Sequence, residues 1–117
     1  MARTKKTVSC PVEITLAVIG GRWKVLVLQQ LFESVLRFNA LHRALPGISH
    51  RTLTKQLREL ERDGVVARRV FQQVPPKVEY SLTALGRTLE PILLAMHAWA
   101  VNHGTGRTQK AKPMPRS

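Results

Sequence analysis

Residues 46–64 read PGISHRTLTKQLRELERDG, with leucines at 53, 57 and 60 and cations at 51, 55, 58 and 62. The leucine spacing i, i+4, i+7 is that of one helix face. Ser49 is a good N-cap and Gly64 a good stop, so the pattern predicts a helix over 49–63. At about 100° per residue, Arg51, Thr54, Lys55 and Arg58 fall opposite the leucines. One side of this helix is built to be buried, and the other is left polar and cationic.

The flanking segments supply what the leucines pack against. Upstream, 37–45 carries Phe38, Leu41 and Leu45 at helical spacing and ends at Pro46-Gly47. The short glycine-containing turn LPGIS then joins two helices as a helix-turn-helix unit requires. Earlier still, RWKVLVLQQLF over 22–32 is apolar nearly all round, which marks a buried helix. A first helix begins at Cys10-Pro11, has an apolar side of Ile14, Leu16, Ala17, Val18 and Ile19, and stops at Gly20-Gly21.

Downstream, VVARRVF and KVEYSL read as two strands joined by QQVPP, with Val78, Tyr80 and Leu82 alternating with Lys77, Glu79 and Ser81. The Pro pair suits a hairpin tip. A last long helix is expected over 83–103, with Leu85, Leu89, Ile92, Met96 and Trp99 in one stripe and a kink at Pro91. That stripe is too long for so small a core to cover, so it is expected to pair across a two-fold axis with the first helix.

Four helices, a two-stranded antiparallel hairpin and a final helix make a mainly α, winged helix-turn-helix chain. Three parts are expected: a flexible basic arm at 1–9, a DNA-binding and dimerisation domain at 10–103, and a disordered basic tail at 104–117. In such a unit the second helix of the turn lies in the major groove with its N-terminal residues at base edges. The hairpin over 65–82 is then a wing on the DNA backbone or minor groove.

Charge agrees, within limits. Nineteen Lys and Arg against seven Asp and Glu leave a net +12, which argues for a polyanionic partner. The arm 1–6 holds three of the cations and the tail 104–117 four, with no acid in either. More than half of the excess therefore lies outside the folded part, so charge alone does not define a binding face. A general nucleic-acid-coating or architectural protein with little sequence preference stays open as an alternative to a sequence-specific regulator.

CPVEITLAVIGGRWKVLVL, RFNALHRALPGISHRTLTKQLRELERDGVVARRVF, VPPKVEYSLTALG and the late Trp99 together resemble the HxlR-type transcriptional regulators, bacterial winged-helix proteins related to the MarR group. The likeness covers about residues 10 to 101, with small departures at Arg22, Phe71 and Ala84. It implies a homodimer, built from the first and last helices, that binds double-stranded operator DNA. Some members use an N-terminal cysteine at the position of Cys10 to sense oxidants or electrophiles.

Candidate residues follow from the helix face and the wing. Arg51 and Lys55 can donate to guanine edges, and Thr52 and Thr54 can meet bases or phosphates. His50 is placed to touch either, Ser49 serves first as a cap, and Arg58, a turn further on, suits phosphate. Arg68, Arg69, Gln72, Gln73 and Lys77 lie on or near the wing, and Arg37 opens helix three. The bland alternative for the helix is a solvated surface face; for the wing it is edge protection, a common use of Lys and Pro.

Cys10 is the single cysteine. A lone cysteine is most often a small buried hydrophobe, but this one stands at a helix N-terminus near the cations of the arm, a setting that favours thiol reactivity. With one thiol per chain, sensing would need an intersubunit disulfide or an adduct.

Trp23, Trp99 and Tyr80 read as core or dimer contacts. His42, His50, His97 and His103 show no metal-ligand spacing, and no cofactor motif, nucleophile elbow or carboxylate pair is present, so an enzyme is not expected. With no signal peptide and no apolar run of membrane-spanning length, a cytoplasmic location is expected. No motif names an effector.

Overall fold

The computed structural model describes residues 10–104. The expected arm at 1–9 lies outside the described residues, as does the expected tail at 104–117 apart from Gly104. The element order is α1 (Pro11–Ile19), α2 (Arg22–Glu33), β1 (Leu36–Arg37), α3 (Phe38–Ala44), α4 (His50–Arg62), β2 (Val66–Phe71), β3 (Lys77–Leu82), α5 (Ala84–Arg87) and α6 (Glu90–His103).

The core forms where the apolar faces of α2, α3 and α4 meet the inner face of the sheet. Val27, Leu28 and Leu31 of α2, Leu41 of α3, and Leu53, Leu57 and Leu60 of α4 are at most 1% exposed. Burial of the three α4 leucines follows the spacing read from the sequence. Ser49 caps the helix: its Oγ accepts from the Thr52 backbone N–H at 3.0 Å.

The far end of α4 closes in a Schellman motif. The Val65 N–H reaches the Leu60 carbonyl at 3.1 Å, and the Gly64 N–H reaches the Glu61 carbonyl at 3.0 Å. Gly64 holds φ +80°, a conformation that side chains rarely adopt.

β1, β3 and β2 lie in that order in one antiparallel sheet. Val66–Phe71 pairs with Lys77–Leu82 as the wing. The third strand is new: Leu36 registers opposite Tyr80 and Arg37 opposite Glu79. Helix three therefore starts at Phe38 rather than at residue 37. Arg37 belongs to the sheet because the two-residue strand pairs with the outer edge of β3.

The last helix is also divided. Thr88 ends α5, and α6 begins at Glu90 with Pro91 in its first turn. Pro91 does not kink a continuous helix. It lacks an N–H to continue the ladder from α5, whereas a first-turn position needs none. The break also changes the expected stripe. Leu89 is 8% exposed and packs with Leu93 in the protomer's own core, while Leu85, Ile92, Met96 and Trp99 remain 41–64% exposed.

α5 is docked onto the end of α4. Thr83 donates through Oγ1 to the Gly64 carbonyl at 2.6 Å, and its N–H donates to the Val65 carbonyl at 3.1 Å. Gly86 presses on the same corner, where a Cβ would stand 2.1 Å from the Val65 carbonyl oxygen.

Candidate nucleic-acid interface

The outer face of α4 carries the cations. Arg51, Lys55 and Arg58 are exposed, and with His50, Thr54 and Arg62 they line a shallow groove along the helix. Arg51 and Arg58 make no salt bridge among the described residues. Lys55 lies 4.0 Å from Glu59 with its side chain 70% exposed, a pairing weak enough to be given up on contact with another anion.

Neighbouring residues have structural duties. Ser49 and Thr52 form the cap together, with Ser49 Oγ also donating to Thr52 Oγ1 at 3.0 Å. Thr54 Oγ1 donates back to the His50 carbonyl at 2.9 Å. The His50 ring packs at a tilt against the stacked Phe38 and His42 rings, with both centroid separations 4.8 Å. His42 Nε2 lies 3.0 Å from the Ile48 carbonyl oxygen, tying α3 to the turn. Ser49, His50, Thr52 and Thr54 build the N-terminus of α4, and Arg51 and Lys55 project from it.

Glu59 anchors the helix from below. Its carboxylate meets Lys24 Nζ of α2 at 2.7 Å, with side-chain exposures of 25% and 10%. The hydrogen bond from Lys24 holds the Glu59 carboxyl below its ordinary value, against the opposing effect of burial. The sequence placed Lys24 in a buried helix without indicating this partner, which is 35 positions away.

Pleating separates the wing cations. Arg68 faces the same side as Tyr80, towards α4, and its Nε lies 3.6 Å from Glu61. Arg69 registers opposite Glu79 on the other side, where Arg37 also registers. On that face Arg69 and Lys77 stack over the Phe71 ring at 4.6 and 4.3 Å, and Lys77 lies 3.6 Å from Glu79. Gln72 and Gln73 are exposed at the tip. The structure thus brings Arg51, Lys55, Arg58 and Arg68 together around α4 and groups Arg37, Arg69 and Lys77 on the outer sheet face.

A further apolar surface lies on the terminal helices. On α1, Val12, Ile14 and Leu16 are 46–60% exposed, and only Ile19 is buried. On α6, Ile92, Met96, Trp99 and Val101 are 41–64% exposed. Cys10 is exposed at the N-cap of α1, its thiol making no capping hydrogen bond. Among the described residues no three His, Cys, Asp or Glu side chains group to hold a metal ion, and no helix is long and apolar enough to cross a membrane.

Residues 18–108, which include the whole helix-turn-helix and wing, match the family model of the HxlR-like helix-turn-helix. The chain belongs to the HxlR family. The HTH-type transcriptional regulator YdeP of Bacillus subtilis is 59% identical over 90 residues, 77% of this chain and 70% of the relative. Among solved structures, the redox regulator HypR in its reduced form is 56% identical, with a TM-score of 0.77 over 80% of this chain and 92% of that one. The reduced form of the regulator YodB from B. subtilis is 34% identical, with a TM-score of 0.74 over 82% and 95%. The solved structures that the chain resembles also include transcriptional regulators of the MarR family, at 33% and 34% identity with TM-scores of 0.77. Cys10 lies eight positions before the residues that the family model matches.

Proposed function

We infer that this chain is a sequence-specific, DNA-binding transcriptional regulator of the HxlR family, a binder rather than a catalyst, acting in the cytoplasm. α4 enters the major groove of operator DNA, and the β2–β3 wing follows the backbone or the minor groove. One observation carries the reading. α4 buries Leu53, Leu57 and Leu60 completely and leaves Arg51, Lys55 and Arg58 exposed on the opposite side, beside the wing. Cations held on a firmly seated helix can be aligned with base edges, which a charged tail cannot do.

The exposed apolar residues of α1 and α6 support a homodimer in which these helices pair across a two-fold axis. Leaving Ile14, Leu16, Ile92, Met96 and Trp99 in water would be unusual for a small monomer. A dimer would present two copies of α4 to half-sites about one helical turn apart.

Cys10 supports a second layer, a response to oxidants. Its thiol is free and exposed, and the structural neighbours include HypR in reduced and oxidised forms and a diamide-treated YodB. In a dimer, two Cys10 thiols could lose two protons and two electrons to an oxidant such as diamide and form one intersubunit disulfide.

The deciding experiment is selection of bound duplexes from a random pool, followed by titration on the selected site and on scrambled DNA. A regulator prefers its operator by about 10³-fold or more. A preference under about tenfold would overturn this reading in favour of a coating protein driven by charge.

A further inference from the structure

Tyr80 lies at the middle of β3, registered between Leu36 of β1 and Arg68 of β2. It is only 9% exposed, and its hydroxyl makes no hydrogen bond among the described residues. Buried polar groups rarely go unpaired, because desolvation without a partner is costly. The side chain lines a cleft of about 170 Å³ between α4 and β2, together with Thr54, Arg58, Glu61 and Arg68. That volume is several times the roughly 30 Å³ share of one liquid water, so it admits a tetrahedral oxyanion.

The charges suit such a guest. Arg58 and Arg68 outnumber Glu61, and Arg58 has no salt bridge among the described residues. Arg68 touches Glu61 at 3.6 Å with both side chains more than a third exposed, a weak contact that a stronger anion can displace. Burial pushes the Tyr80 phenol above its ordinary value, so it remains a hydrogen-bond donor at any physiological pH. The cleft also lies between the reading helix and the wing, where a DNA strand bound by both would pass.

We propose that this cleft seats one phosphate of the DNA backbone in each half-site, with the Tyr80 hydroxyl and the Arg58 and Arg68 guanidinium groups as its donors. The inference rests on the DNA-binding reading and adds a residue that the sequence assigns to the core. A neutral donor leaves a distinctive signature, because it strengthens binding without displacing a counterion.

Tyr80→Phe in the full chain keeps the ring and deletes only the hydroxyl. Fluorescence anisotropy on the selected operator and on a scrambled duplex should show both affinities falling about tenfold with the salt slope unchanged. Arg68→Ala should lower the slope by about one. A scan of single methylphosphonate linkages should find one per half-site that weakens the wild type about tenfold and weakens Tyr80→Phe by a clearly smaller factor, because only the contacts from Arg58 and Arg68 are left to lose. If Tyr80→Phe does not fold, Arg68→Ala should give the same coupling at the same linkage.

A folded Tyr80→Phe protein that binds both duplexes like the wild type would overturn the seat and leave the cleft to water. Stabilisation by inorganic phosphate that Tyr80→Phe abolishes, with DNA affinity unaltered, would also overturn it, in favour of a free-anion site. A wild-type chain that binds no duplex overturns the DNA reading itself, which separates the two failures.

Discussion

Glu59→Gln tests how firmly the reading helix is seated. Glutamine keeps the size of the side chain but removes the charge that faces Lys24 Nζ at 2.7 Å. Breaking a fully buried ion pair costs about 3–5 kcal/mol, because the surviving charge is left without compensation. Here Lys24 is 10% exposed but Glu59 is 25% exposed, so water can reach part of the pair. The expected loss is about 1–3 kcal/mol, less than the buried limit because of that screening.

The pH dependence has a definite sign. Lys24 holds Glu59 below its ordinary value, so the folded state binds a proton less readily than the unfolded chain. The stabilisation is therefore complete above the ordinary glutamate range and disappears as pH falls through the depressed folded value. Urea denaturation of wild type and Glu59→Gln from pH 7 down to pH 3 should show two stabilities that converge on acidification. The double substitution Lys24→Met with Glu59→Leu should recover much of the loss at pH 7. Equal stability of wild type and Glu59→Gln at pH 7, or a gap that widens in acid, would refute the argument that this pair secures α4.

Arg51→Ala and Lys55→Ala should each cost about 1–3 kcal/mol on the operator and relax preference at one base position per half-site. Arg58→Ala should instead weaken binding to operator and scrambled duplex alike, with a salt slope lower by about one; unchanged operator-to-scrambled ratios for both Arg51→Ala and Lys55→Ala would remove α4 as the reader. Met96→Asp changes a 49%-exposed residue, so it should leave the protomer folded and produce monomer in sedimentation; a persistent dimer would place the interface elsewhere. Leu57→Ala acts through the core and should cost about 2–5 kcal/mol in chemical denaturation. Cys10→Ser should bind operator normally when reduced and lose the response to diamide, whereas a mutant that responds like the wild type would clear the chain's only thiol.

How far the sequence can be read depends on whether a signal is local. The reading helix was legible because Leu53, Leu57 and Leu60 repeat within two turns between a serine cap and a glycine stop. The wing was legible because Val78, Tyr80 and Leu82 alternate on one side of a proline pair. β1 was not, since two residues hold no period and Leu36 meets its partner Tyr80 only through tertiary pairing. Leu89 fits a helical stripe with Ile92 and Met96 on paper, yet the break before Pro91 turns it into the core. Adjacent Arg68 and Arg69 must face opposite ways in a strand, but which of them faces α4 depends on packing. The Lys24–Glu59 pair and the Tyr80 cleft join distant segments, beyond any local window.

The docking of α5 on the corner after α4 decides which parts of the chain move together. Thr83 grips the Gly64 and Val65 carbonyls, and Gly86 closes on the second of them. α4, the wing and the start of α6 are thereby clamped at a single joint. With that joint rigid, a disturbance at the terminal helices has little slack to absorb it. It would travel like the turn of a key, swinging each reading head as a whole rather than bending it. In the proposed dimer, switching would then be a question of spacing and tilt between two unaltered heads, with each wing tip carried along by the rotation of its whole head.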